Sequence, residues 1–133
     1  MTSVLRIKPG ATVRNPAPAG FRILSALDQL SAKMKRDVVI TSGDEGEEWR
    51  AATDPHQTSE AYDVSVKGWD SQEVLFAYRF LSITLGPLFT VLYEVPTAVV
   101  ADLPQSLRDI AYPNKTATGI HFHLQRKKGT TYP

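Results

Sequence analysis

Cysteine is absent from this 133-residue chain. No disulfide can therefore staple the fold, and any metal site has to be assembled from His, Asp and Glu. Long apolar runs are absent as well. Nothing approaches the roughly 20 residues of a membrane-spanning helix, and the N-terminus, MTSVLRIKPG, lacks the apolar core of a secretory signal. Net charge is almost absent: fifteen Lys and Arg against fourteen Asp and Glu leave +1. That removes the global field that draws proteins to nucleic acid or anionic lipid. The one basic run, Arg126-Lys127-Lys128, reads as a solvated strand end. Neither a membrane nor a nucleic-acid partner is expected, and the sequence is silent on oligomeric state.

What is present suits one domain spanning residues 1–133, long enough to bury roughly two thirds of the surface its unfolded form exposes. After a short apolar segment, Val4 to Ile7, the stretch PGATVRNPAPAG reads as an extended connection. Phe21, Leu24, Leu27, Leu30 and Met34 then recur at three- and four-residue spacing. They predict an amphipathic helix ending near Lys35-Arg36. Val38-Val39-Ile40-Thr41 is β-branched and closes on Ser42-Gly43, the pattern of a strand entering a loop. A second helix is announced by Asp70 and Glu73, spaced as a capping box. It carries Val74, Tyr78, Leu81 and Leu85 on one stripe and stops at Gly86-Pro87. Residues 96–118, punctuated by three prolines, read as a long covering loop with room for a short helix only at 104–111.

Three further segments alternate with period two. Tyr62, Val64 and Val66 share one face, and Asp63 the other. Val91, Tyr93 and Val95 oppose Leu92 and Glu94, while Ile120, Phe122 and Leu124 oppose His121 and His123. The expected fold is thus α+β: a mainly antiparallel sheet of about four strands, helices on its apolar face, and a cleft on the other. If these strands are neighbours, Asp63, Glu94, His121 and His123 converge. The chain's only other histidine, His56, sits just ahead of the Asp63 strand. Zinc takes imidazole and carboxylate ligands and, in catalytic sites, three protein ligands plus water. His56, Asp63 and His123 would supply that set. Solvated or merely hydrogen-bonded histidines are the plainer alternative for each taken singly.

The segments VVITSG, HQTSEAYDV, FTVLYEV and GIHFHLQRK together resemble a zinc-binding family. It comprises D-Ala-D-Ala carboxypeptidases, phage L-alanyl-D-glutamate endopeptidases and the hedgehog signalling domain. The resemblance covers residues 38 to 127 in order. It implies a Zn2+ site of His56, Asp63 and His123, with Glu94 as general base. His121 would face the developing oxyanion or leaving group, or simply line the cleft. It further implies a peptidase acting on a peptidoglycan-derived peptide, made in the cytoplasm without a signal peptide and reaching the wall after release, as phage-encoded enzymes do. A module that keeps zinc for binding or structure without hydrolysis is the alternative the hedgehog resemblance permits. The chain departs from the pattern at several points. Ser59 replaces a glycine, Glu60 an arginine, and Asp44-Glu45 the Tyr-Arg that follows Ser-Gly in many of the peptidases. Arg50 is the nearest stand-in for that arginine. Residues 95–120 form an insertion expected either to close over the cleft as a lid or to displace Glu94 from the metal.

Overall fold

The computed structural model describes residues 3–14, 16–45, 54–56, 58, 60–130 and 132. Ser59 and Arg50 lie outside them. The described residues form β1 (Leu5–Ile7), α1 (Pro18–Met34), β2 (Val38–Ser42), β3 (Ala61–Ser65), α2 (Ser71–Leu85) and β4 (Phe89–Pro96). A 3-10 turn (Thr97–Asp102), α3 (Gln105–Arg108), β5 (Ala111–Asn114) and β6 (His121–Arg126) complete them.

The architecture is α+β, but the sheet is mixed and larger than expected. Among the described residues it has six strands, in the order β1-β2-β3-β6-β4-β5. The inner four pair antiparallel, while β1 joins β2 and β5 joins β4 in parallel. The two unforeseen strands are short edges, and β5 carries Pro113. Proline cannot donate to a ladder and survives in a sheet mainly at its edge, so a reading that treats it as a turn signal misses such a strand. Residues 96–118 are accordingly not one covering loop. They turn through the 3-10 segment and α3, bury Leu107 in the core, and return as β5 beside β4.

The two long helices pack against each other and against one face of the sheet. Ile23, Leu27 and Leu30 from α1, with Val74, Ala77 and Leu81 from α2, meet Ile40, Tyr62, Val64, Tyr93, Val95, Phe122 and Leu124 in one core. The stripe on α1 is rotated from the expected one. Phe21 is 62% exposed, whereas Ala19, Ile23, Ala26, Leu27 and Leu30 are buried. The two alanines let the helix lie close to its neighbours, which a count of large apolar residues alone cannot register. Helix α2 follows expectation. The Asp70 carboxylate accepts from Glu73 N, the Glu73 carboxylate accepts from Asp70 N, and Gly86 at φ 79° ends the helix in a conformation favouring glycine. Among the described residues no helix is long and apolar enough to cross a membrane.

One further glycine fixes the approach to the site. A Cβ on Gly43 would collide with the carbonyl oxygen of Thr12. The chain before α1 is held against this turn by Asp44. Its backbone N–H donates to Thr12 O (2.9 Å), and its carboxylate accepts from Thr12 Oγ1 (2.7 Å) and Arg14 N (2.9 Å). Asp44, one of the departures from the family pattern, therefore anchors the N-terminal segment.

Candidate metal centre

Period-two alternation sends His121 and His123 to the same face of β6, away from the helices. Antiparallel register then sets their neighbours. Asp63 of β3 lies directly across from His123, and Glu94 of β4 directly across from His121. Directly opposed residues have Cβ atoms about 5 Å apart, so side chains from three strands meet without any long reach. His56 arrives from the loop preceding β3. There its N–H donates to Asp54 Oδ1 (2.9 Å), and Glu60 N donates to Pro55 O (2.8 Å), closing the turn into the strand. Glu60 then pairs with Arg126, at 2.6 and 3.2 Å, tying the start of β3 to the end of β6. The residue that departs from the family arginine thus clamps the two strands carrying Asp63 and His123.

All five residues singled out in the sequence come together. His123 Nδ1 is 2.7 Å and His56 Nε2 3.4 Å from Asp63 Oδ1. The His56, Asp63 and His123 ligand atoms fall within 4.8 Å of one another, a group that could hold a metal ion. The outer nitrogens are anchored as metal-ligating imidazoles usually are. His56 Nδ1 lies 3.1 Å from the Gly43 carbonyl oxygen, and His123 Nε2 2.7 Å from Gln125 Oε1. A carbonyl oxygen only accepts, so His56 Nδ1 carries the proton, and in the neutral ring Nε2 turns its lone pair toward the Asp63 carboxylate. Either a second proton on the ring or a metal ion between the two atoms would relieve their repulsion, and the group could hold such an ion.

Beside this group, His121 Nε2 is 2.8 Å from Glu94 Oε1, and Asn114 Nδ2 donates to Glu94 Oε2 at 3.0 Å. Glu94 thus faces the same cleft as the His-Asp-His group, and residues 95–120 contribute to that cleft. The insertion brings in β5, whose last residue orients that carboxylate, and its residues 116–120 line the cleft. Asn114 is the neighbour of this cluster that sequence reasoning missed. Only recognition of Ala111-Tyr112-Pro113-Asn114 as an edge strand would have revealed it. The cleft measures about 680 Å³ and also admits Lys8, Thr41, Glu45 and Ser65.

Electrostatics follow from this crowding. Burial alone would raise the Asp63 carboxyl, but hydrogen bonds from His123 and His56 outweigh it and hold the group well below the usual carboxylate range. Burial likewise opposes ionisation of Glu94. The His121 hydrogen bond, the His123 charge and the Asn114 amide overcome it, so this carboxyl also falls below its ordinary value. Burial pushes His121 and His123 down, yet hydrogen bonds to Glu94 and Asp63 respectively carry each above the normal imidazole range.

No family model, curated protein or solved structure matches this chain.

Proposed function

We propose that this chain is a zinc-dependent peptidase with the fold of the D-Ala-D-Ala carboxypeptidase and hedgehog family. Its substrate would be a small, D-amino-acid-containing peptide of the peptidoglycan stem. The supporting observation is the joint arrangement: a three-residue His-Asp-His group, and, in the same cleft, an ionised carboxylate bonded to a second imidazole. The substrate class comes from the motif resemblance.

His56 Nε2, Asp63 Oδ1 and His123 Nδ1 would hold the ion. When bound, zinc makes a water molecule acidic and polarises the carbonyl it contacts. Glu94 is kept ionised and is turned toward the cleft by Asn114. It takes the proton of the attacking water. His121, on the same strand face two residues before a ligand, donates to the developing oxyanion or to the departing amine. Gln125 Oε1, which accepts from His123 Nε2 at 2.7 Å, keeps the ligand imidazole from rotating.

One observation favours the alternative of a zinc-binding module without hydrolysis. Both Glu94 oxygens are already hydrogen-bonded, Oε1 to His121 and Oε2 to Asn114. Glu94→Gln separates the readings. In a peptidase it abolishes nearly all cleavage of peptidoglycan stem peptides while zinc content is retained. If the parent, loaded with zinc, releases no product from any such peptide, the module stands and the peptidase is rejected.

A further inference from the structure

We infer that the cleft takes a second divalent cation, held weakly by His121 and Glu94 and sharing Asp63 with the first. A second cation would occupy the general base and so shut the site off when metal is in excess. The shut-off rests on the peptidase reading; the second site itself does not.

Three features of the cleft carry it. First, Asp63, Glu94 and His121 bring their ligand atoms within 4.8 Å of one another, a set separate from His56, Asp63 and His123 except for the shared carboxylate. Second, His121 is oriented by the same device as His56. Its Nδ1 lies 3.1 Å from the Gly119 carbonyl oxygen, which can only accept, so in the neutral ring the Nε2 lone pair points into the cleft. That nitrogen stands 2.8 Å from Glu94 Oε1 and 3.9 Å from Asp63 Oδ1, two carboxylate oxygens and no hydrogen-bond donor of their own. Third, the remaining Glu94 oxygen is fixed by Asn114 Nδ2 at 3.0 Å, so Oε1 is presented as a ligand in a set direction. An oriented imidazole nitrogen and two oriented carboxylate oxygens are a donor set that zinc and similar ions accept.

Charge sets the order of filling. One divalent ion is balanced by the two ligand carboxylates, Asp63 and Glu94, whereas a second leaves the ligand set with an excess of two positive charges. Ions sharing a carboxylate sit about 4 Å apart, and their repulsion makes the second site weaker by about a hundredfold or more. The first ion therefore fills alone at limiting metal, with Glu94 clear of metal. The second binds only in excess, through the Glu94 oxygen that would otherwise take the proton.

Equilibrium titration of the chelator-stripped full chain with zinc alone decides the matter. Two equivalents are expected, the second weaker by about a hundredfold or more. His121→Ala and, independently, Glu94→Gln should each lose the weak equivalent and keep the tight one, and that retention shows that the variant folds. His56→Ala should lose the tight one. A single equivalent in the parent up to millimolar zinc overturns the inference, as does a weak equivalent that survives in both His121→Ala and Glu94→Gln. Turnover of a stem peptide, followed in parallel, should fall as the second equivalent binds. Turnover unchanged across that range overturns the shut-off, whereas absence of turnover at every zinc level defeats the peptidase reading and leaves the stoichiometry to stand on the titration.

Discussion

Zinc should reverse the response of this protein's stability to pH between about pH 6 and 8.5. In chelated protein, His121 and His123 have values raised above those of the unfolded chain by their hydrogen bonds to Glu94 and Asp63, against the effect of burial. A group raised on folding contributes stability that is complete below its unfolded value, about 6.5, and is lost as pH climbs through its folded value. The depressed carboxyls of Asp63 and Glu94 contribute fully above about pH 4–5 and so add a constant across the window. The chelated protein should therefore melt at progressively lower temperature from pH 6 to 8.5. The tight zinc site needs the His123 ring unprotonated, so zinc affinity rises over that interval. At a free zinc concentration of one hundred times Kd the linkage adds about 2.7 kcal/mol. For a chain of this size that is about 10 °C in Tm. Differential scanning calorimetry at four pH values, with chelator and with zinc, should give curves that diverge with rising pH and are separated by about that amount at the alkaline end. His123→Ala should collapse the separation. Parallel or superimposed curves would refute both the ligand assignment and the account of the two histidines.

Three further outcomes test the fold that carries the site. Ile23→Ala should lose about 2–5 kcal/mol in urea unfolding, while Phe21→Ala, at the exposed position, should stay within about 0.5 kcal/mol; the reverse would restore the unrotated helix stripe. Gly43→Ala forces a Cβ against the Thr12 carbonyl and should destabilise by about 1–3 kcal/mol, and a melt like the parent's would show that this turn has slack. The Tyr62 hydroxyl is buried without a hydrogen-bond partner among the described residues, and burial, helped by the Asp44 charge, pushes its pKa up to about 12. Tyr62→Phe should therefore be neutral or stabilising by up to about 1 kcal/mol, and a clear loss of stability would show that the hydroxyl has a partner.

Much of this architecture was legible in residue order because its signals are local. Alternation assigned Asp63, Glu94, His121 and His123 to the polar face, since a strand repeats every two residues wherever it lies. The capping box at Asp70 and Glu73 and the stop at Gly86 needed only a few neighbouring residues. The misreadings came where neighbours in space outweigh neighbours in sequence. Phe21 looks like a core residue until the alanines at 19 and 26 are seen to face the core instead. Edge strands β1 and β5 are too short to show a period, and their pairing depends on the exposed rims of β2 and β4.

Sequence by itself determined which residues could take part in the chemistry here. With no cysteine and three histidines, the choice of metal ligands was narrow, and strand periodicity fixed the side on which most of them lie. Tertiary structure alone decided how they meet. Register put Asp63 opposite His123 and Glu94 opposite His121. The Gly43 carbonyl, thirteen residues upstream, chose which nitrogen of His56 faces the cleft. The return of the chain as β5 brought Asn114 to Glu94. Those contacts join segments far apart in the chain, and hydrogen-bond direction and strand register are properties of the packed sheet that no local stretch of sequence encodes.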